Sequence, residues 1–572
     1  MHALTDLFLQ RRGYTPQFLQ EINDPRHPKL QNVDKLAQIL KGVHDRQDKI
    51  VIMPDFDTDG ISAGTVGFAG LAQMGFNVAL YSPIPSHGYG IQISDVKTVQ
   101  RLWPDVKYLI TCDVGITCYE AFKYASTQNI HVLITDHHEE QKNKPQPLIN
   151  DVIVNPCQLS ETYPLRNICG AHVFYQVLMN YAQMYCDMAT INLIDKLYVF
   201  AGIGTIGDMM DMVKENRELV KKTISFLKAL YEATDLNSMF PANASFTYKR
   251  AFIGLKILML NLHEHKKLRS VDDIDEKWLG WTLVPTYNSA KRMNLPMEHV
   301  FGIFFGQNAQ IQSQYANQLI SGNENRKRLT NQYLEELHHE QSLNQQPWAP
   351  FIYVIDAPGG FLGLIANQLM RESNLPTFVI NKTTLAGSGR SLSYFPVITA
   401  LSGTEFRVAG HEEAFGIGFK DLMQINRFYD YLVKYILPLA EEASKKAPTH
   451  DYDLKLVSKG IDQSDADANI NIGDDKDFYH DTTLLKPFGM SFPEPKINIE
   501  INPQASRIFT MGDHNQHLKI ITPENLQLIS WNNGQLIDKI KAKEKIEFSG
   551  DFSINKFRNQ ESLQMIGDVE NE

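Results

Sequence analysis

Three aspartates occupy alternate positions in Asp55-Phe56-Asp57-Thr58-Asp59-Gly60. That density of carboxylate on one tight turn is costly unless cations neutralise it. Asp113 stands alone further on, and Asp136-His137-His138 and Gly207-Asp208-Met209-Met210-Asp211 form two more polar clusters. Hard divalent ions suit carboxylate and water, and imidazole beside carboxylate shifts the balance from Mg²⁺ toward Mn²⁺ or another transition metal. Any one cluster, taken singly, reads as a solvated surface turn. What joins them is position: each follows an apolar run that reads as a strand, and open α/β sheets gather their ligands beyond the carboxyl ends of strands.

The elements that must position these residues are legible as a repeating pattern. Lys49 to Asp55 reads as a buried strand, Ile61 to Met74 as a small-residue helix, and Asn77–Tyr81, Val106–Cys112 and His131–Thr135 as further strands, with a helix near Tyr119 to Ala125. Short apolar runs alternating with amphipathic helices predict an α/β fold built on a doubly wound parallel sheet covered on both faces. Val199 to Ile206 is read as the strand that ends on Asp208. The expected organisation is a helical preface at 1–48, the main α/β domain at 49–300, a helical connector at 301–348, a smaller α/β domain at 349–447, an acidic linker at 448–484 and a small β-barrel of OB type at 485–572. Asp465-x-Asp467-x-Asn469 has Ile470 where a calcium loop needs Gly, so calcium is rejected there.

Composition bounds the function. With 572 residues, 43% of them hydrophobic and 21% charged, the chain is neither disordered nor fibrous. Its longest apolar stretch, Ala251 to Leu262, is interrupted by Lys256 and too short to span a bilayer, and no secretory signal is visible, so a cytoplasmic protein without membrane contact is expected. Five cysteines without a C-x-x-C pair suit reduced thiols better than disulfides or zinc. A net charge of −11 requires any nucleic-acid site to be a local basic channel.

Taken in order, these motifs resemble the DHH phosphoesterases: Asp55-Phe-Asp57-Thr-Asp59-Gly60, Asp113-Val-Gly115, Asp136-His137-His138 and Gly207-Asp208 look like the family's four successive motifs. Pro285-Thr-Tyr-Asn288-Ser-Ala-Lys291-Arg292-Met293 is similar to a segment of the RecJ exonuclease branch, and Gly387-Ser388-Gly389-Arg390-Ser391 and Ala409-Gly410-His411 look like the two motifs of the associated DHHA1 domain. Leu485-Lys-Pro-Phe-Gly489 and Asn555-Lys-Phe-Arg558 resemble the entry and last strands of the RecJ OB domain. Met53, Val114, Lys291 and Ala409 depart from the family pattern, which has His, Asn, Gly and Gly there.

The resemblance implies a single-stranded DNA exonuclease that hydrolyses phosphodiesters from 5′ to 3′ to mononucleotides in repair or recombination. Its cofactors would be two Mn²⁺ or Mg²⁺ ions. It implies metal ligation by Asp57, Asp59, Asp113, His137 and Asp208, with Asp113 as the bridge, Asp55 and Asp136 orienting ligands, and His138 and His411 facing the phosphate. Asn288, Arg292, Ser388, Gly389 and Arg390 would bind substrate, the last four at a terminal 5′ phosphate. Arg326, Lys327 and Arg328 are groove candidates, and Trp531, Lys556, Phe557 and Arg558 are candidates to stack and track a strand, whereas Phe552 in the same segment reads as a buried aromatic of the barrel. The expected enzyme is a monomer served by a helicase or single-strand-binding protein. Two alternatives stay open: a DHH phosphodiesterase for short oligonucleotides or cyclic dinucleotides, and an inactive single-strand-binding relative.

Overall fold

The structure, a computed structural model, describes every residue except 1–2, 84–87, 89, 140–151, 236–238, 447–451, 462–463, 513, 558–559 and 571–572. It falls into two compact units. One comprises His27–Met210 and Lys222–Thr449, and the other Met1–Arg26, Asp211–Lys221 and His450–Glu572.

The larger unit holds two sheets. In the first, β1 (Lys49–Pro54), β2 (Val78–Leu80), β3 (Val106–Cys112), β4 (His131–Thr135) and β5 (Val152–Val154) run parallel in the order β2-β1-β3-β4-β5. Ile50, Val51, Ile52 and Met53 are all fully buried, as a central parallel strand with both faces covered requires. Val51, Met53, Leu109, Val132 and Ile134 face one core together with the helices Ile93–Leu102 and Tyr119–Thr127. Met53 and Val114, two of the departures from the family pattern, are core residues on this face.

The other face of the sheet is covered by the helix Thr58–Gln73. Its stripe Gly60, Gly64, Gly67 and Gly70 admits the backbone of Asp55 and the side chains of Phe301, Phe174 and Leu178 where any Cβ would intrude. Val199 to Ile206, expected as a strand, lies instead within the helix Tyr198–Gly207. An all-round apolar run carries no period that separates a buried strand from a buried helix, and Gly202 and Gly204 are needed for close helix packing. Among the described residues the helical stretch long and apolar enough to cross a membrane is Met188–Gly207, and it is broken into two helices, Met188–Asp195 and Tyr198–Gly207.

The second sheet, in the order β6-β7-β8-β10-β9, is formed by β6 (Ile352–Ile355), β7 (Thr377–Asn381), β8 (Ala386–Arg390), β9 (Val408–His411) and β10 (Ala414–Gly418). Only β6 and β7 are parallel. The 34-residue helix Ala309–Ser342 precedes it.

The smaller unit is an eight-stranded sheet, β12-β11-β13-β17-β18-β16-β15-β14. It comprises β11 (Leu454–Val457), β12 (Ala468–Asn469), β13 (Ile497–Ile501), β14 (Arg507–Met511), β15 (His517–Ile521), β16 (Gln527–Ser530), β17 (Ile546–Phe557) and β18 (Gln560–Val569). Residues 448–484, expected as an acidic linker, contribute β11, β12 and the helix Ile472–Thr483, and bury Leu454, Leu456, Ile470 and Phe478 in this core. Two of their aspartates are paired with arginines from the helix Ala3–Arg11 or its end, Asp453 with Arg12 and Asp467 with Arg11. That helix adds Leu4, Phe8 and Leu9 to the same core, so the expected preface of 1–48 is divided between the two units.

Candidate metal centre

Each acidic residue reaches the centre by a distinct device. Asp57 caps the helix Thr58–Gln73, its Oδ1 accepting from the backbone N–H of Asp59 at 3.0 Å and Gly60 at 3.2 Å. Asp59, inside the first turn, accepts from Gly170 N at 2.6 Å and Ala171 N at 3.0 Å, at the start of the helix Gly170–Tyr185. The positive end of that helix dipole therefore faces the carboxylate. Asp113 follows β3 in a left-handed backbone conformation, φ 64°, which turns its carboxylate toward Asp59. Asp208 is the residue after the helix Tyr198–Gly207, so its placement comes from a helix end and not a strand end.

The carboxylates meet at His137. Its Nε2 lies 3.0 Å from Asp113 Oδ1, 3.4 Å from Asp208 Oδ2 and 3.7 Å from Asp59 Oδ2. Both Asp113 Oδ1 and His137 Nε2 are buried without a hydrogen-bond partner among the described residues. Three groups of donor atoms, Asp113–His137–His138, Asp59–His137–Asp208 and Asp55–Asp57–Asp113, each lie within 4.8 Å of one another. Buried orphan donors of oxygen and imidazole nitrogen are the donor set for Mg²⁺ or Mn²⁺, and these residues fit such ions. Asp55, expected only to orient ligands, belongs to one of these groups and can ligate directly.

Electrostatics agree with a centre built for cations. Burial, then the charge of Asp57, pushes Asp55 up to about 7. Burial, with Asp59 and Asp57 beside it, pushes Asp208 up to about 8 and holds Asp113 well above the usual carboxylate range. Burial lowers His137, which favours the neutral ligating imidazole. His138 is the exception: burial would lower it, but its 2.8 Å contact from Nδ1 to Asp136 Oδ1 and the surrounding carboxylates raise it to about 9. Asp136, although buried, stays below its ordinary value because His138, the charge of His137 and the backbone N–H of Ile116 outweigh burial.

A second group, in the same unit, is cationic. Arg292 ends the helix Val284–Arg292 and makes no hydrogen bond or ion pair among the described residues. Burial, then the charges of Arg326 and Arg390, lowers it to about 10. The start of the helix Gly359–Ser373 runs between these side chains, since a Cβ at Gly360 would lie 3.2 Å from Arg292 Cα and one at Gly363 would lie 2.6 Å from Arg390 Nη2 and 3.1 Å from Ser388 Oγ. Arg390 Nη1 donates to Ser388 Oγ at 3.0 Å and to Gly389 O at 2.8 Å. Of the Arg326-Lys327-Arg328 run, only Arg326 is half-buried.

Two expected substrate contacts also have structural work. Asn288 Oδ1 accepts from Thr58 N at 2.9 Å and from Thr58 Oγ1 at 3.0 Å, which locks the acidic turn. Gly389 lets β8 pack on Phe415, whose ring occupies the space of a Cβ. His411 ends β9 opposite Ala414, and its side chain lies outside the described residues, as do those of Lys556 and Phe557 and the whole of Arg558. Phe552 is a core residue. Missed altogether were Gly170 and Gly204, which make room for Asp113 and Asp59. Their signal, a glycine inside an apolar run near a polar cluster, exists in the sequence but is weak.

Comparison with known proteins gives a concordant result. Residues 49–203 match the DHH family, N-terminal domain, and residues 466–568 match the RecJ OB domain. A single-stranded-DNA-specific exonuclease RecJ of Bacillus subtilis is 25% identical over 564 residues, covering 94% of this chain and 63% of that protein. The protein of the same description from Haemophilus influenzae is 22% identical, over 94% of this chain and 90% of its own length. The fold is shared with the crystal structure of RecJ in complex with Mn²⁺ from Thermus thermophilus, at TM-score 0.71 and 18% identity, over all of this chain and 76% of that one. Fold and site together define an α/β core whose clustered carboxylates and imidazoles suit divalent metal. The chain thus carries, in order, a segment that matches the DHH family, N-terminal domain, and a segment that matches the RecJ OB domain.

Proposed function

We propose that the chain is a metal-dependent exonuclease acting on single-stranded DNA from the 5′ end. The observation that carries this reading is the pairing, in one unit, of an anion-repelling metal centre with orphan donors and a half-buried arginine cluster in which Arg292 makes no ion pair among the described residues. A phosphodiester substrate with a terminal phosphate has one charge for each.

Asp57, Asp59, Asp113, His137 and Asp208 would hold the ions, with Asp55 available to the same group. When bound, divalent metal supplies the charge that polarises the scissile phosphate and lowers the pKa of attacking water. The chain's own residues do the rest. Asp136 fixes the His138 ring by its Nδ1, which leaves Nε2 of a half-exposed imidazolium as a proton donor toward bound phosphate. Arg292 and Arg390 offer guanidinium donors, and Ser388 a hydroxyl, to a terminal phosphomonoester. In the smaller unit, strand register sets Phe509 beside Lys519 and His517 beside Trp531, with Phe509 and Trp531 exposed. Such aromatic and basic side chains suit a single strand delivered by a helicase or held by a single-strand-binding protein.

The test is end-labelled single- and double-stranded DNA with 5′-phosphate or 5′-hydroxyl ends, incubated with Mn²⁺, Mg²⁺ or chelator. Mononucleotides released first from the 5′ end of single strands, and only with metal, are expected. Release from the 3′ end, or hydrolysis confined to dinucleotides, would replace this reading with the small-substrate one.

A further inference from the structure

Lys291 stands beside Arg292 in the last turn of the helix Val284–Arg292. Its ammonium lies 4.3 Å from the centroid of the Phe56 ring, and Phe56 sits between Asp55 and Asp57 on the acidic turn. Lys291 is exposed and makes no hydrogen bond or ion pair among the described residues. The cation–π contact therefore holds the ammonium at the rim of the metal centre with its N–H donors unspent. Two neighbouring residues of the same helix divide the field. Asn288 locks Thr58, which fixes the helix to the acidic turn, and Arg292, next in sequence, is turned toward Arg326 and Arg390. Lys291 is thus the cation that lies against the acidic turn itself, while Arg292 faces the arginine cluster and feels Asp57 as well.

We infer that Lys291 is a catalytic residue of this chain, donating from its ammonium to a non-bridging oxygen of the phosphodiester seated at the metal centre. The inference rests on the exonuclease reading. An ammonium in that place has two effects of opposite sign. It stabilises charge that builds on the phosphoryl oxygens, and it repels the metal ions that the neighbouring carboxylates attract. A side chain needed only for folding would move both measurements the same way.

The experiment compares wild type with Lys291→Met and Lys291→Gly on a 5′-phosphorylated dinucleotide, which carries only a terminal and a scissile phosphate. At saturating Mn²⁺, kcat/KM should fall tenfold or more in both variants, and added ethylamine should restore part of it in Lys291→Gly. Mn²⁺ affinity, read by calorimetry without substrate, should stay equal or tighten. Unchanged kcat/KM in Lys291→Gly overturns the inference, as does a matched loss of Mn²⁺ affinity and turnover without amine rescue. If wild type itself shows no metal-dependent cleavage of single strands, it is the exonuclease reading that fails, and the comparison of variants is not reached.

Discussion

At the scale of single residues the centre is a set of charges that cannot all ionise without a cation. Asp55 at about 7, Asp208 at about 8 and Asp113, held well above the usual carboxylate range, have folded-state pKa values above those of the unfolded chain. Such a group contributes stability below its unfolded value and loses it as pH rises through the folded one, so metal-free protein should lose stability between pH 4 and pH 8. Metal relieves the repulsion and displaces protons, so the gain in Tm on adding Mn²⁺ should be larger at pH 8 than at pH 6. Thermal unfolding with Mn²⁺ or chelator checks this, and an equal gain at both pH values would mean that the carboxylates are already ionised without metal. Asp113→Asn separates catalysis from stability. It removes one repelling charge, so the metal-free variant should be at least as stable as wild type at pH 8, while turnover falls on the order of 10³-fold or more through the loss of several kcal/mol of charge stabilisation. In the arginine cluster, Arg390→Lys keeps the charge but not the fork, and preference for a 5′-phosphate over a 5′-hydroxyl end should narrow by roughly tenfold in competition assays.

At the scale of elements, the site was legible where a polar cluster followed a strand and illegible where a helix did the positioning. β1, β3 and β4 were read from their apolar runs, and Asp55, Asp113 and Asp136 follow them directly. Asp208 was found by its type and misplaced by its element, because a buried helix shows no amphipathic period. The dual role of Asp59 was hidden too, since its partners at Gly170 and Ala171 lie more than a hundred positions away. The acidic stretch before β13 was misread because its charge suggested solvent, whereas arginines from the other end of the chain pair with it. Packing glycines are the elements' contribution to chemistry. A Cβ at Gly204 would collide with Asp59 Oδ1, so Gly204→Ala should cost ~1–3 kcal/mol by overpacking and weaken Mn²⁺ binding as well. Gly280→Ala is the control, because its Cβ would meet nothing nearer than Ile206 Cγ2 at 3.8 Å. Denaturant unfolding and metal calorimetry on both variants decide whether the helix contact and the metal site are linked.

At the scale of the molecule, chain order and compact units do not coincide. The strand-rich unit takes its core from both termini and also includes residues 211–221, which begin three positions after Asp208. Within that unit Arg217 is fully buried, donating to the carbonyls of Leu485, Lys486 and Pro487 and stacking on Phe492 with its guanidinium carbon 4.7 Å from the ring centroid. A C-terminal truncation is therefore no clean removal of a binding module. Cutting at residue 449 would strip those partners from Arg217 and leave Leu4, Phe8 and Leu9 without a core, and a buried guanidinium left unpaired is expensive. Residues 211–221 would then lose their order next to the peptide that carries Asp208. Truncation at 449 should accordingly reduce hydrolysis of a 5′-phosphorylated dinucleotide as well as binding to long single strands. Surface changes should separate what truncation joins: Phe509→Ala with Trp531→Ala removes exposed aromatics without touching Arg217 or the core. At about 1–3 kcal/mol per stacked base, the pair should weaken binding of a long single strand by at least tenfold and leave dinucleotide hydrolysis unchanged. Fluorescence anisotropy on a long single strand, set beside dinucleotide turnover for the same preparations, reads both. Loss of dinucleotide turnover in the double variant would tie that face to the metal centre, and full dinucleotide activity after truncation at 449 would show that residues 211–221 hold their place without the unit that they pack into.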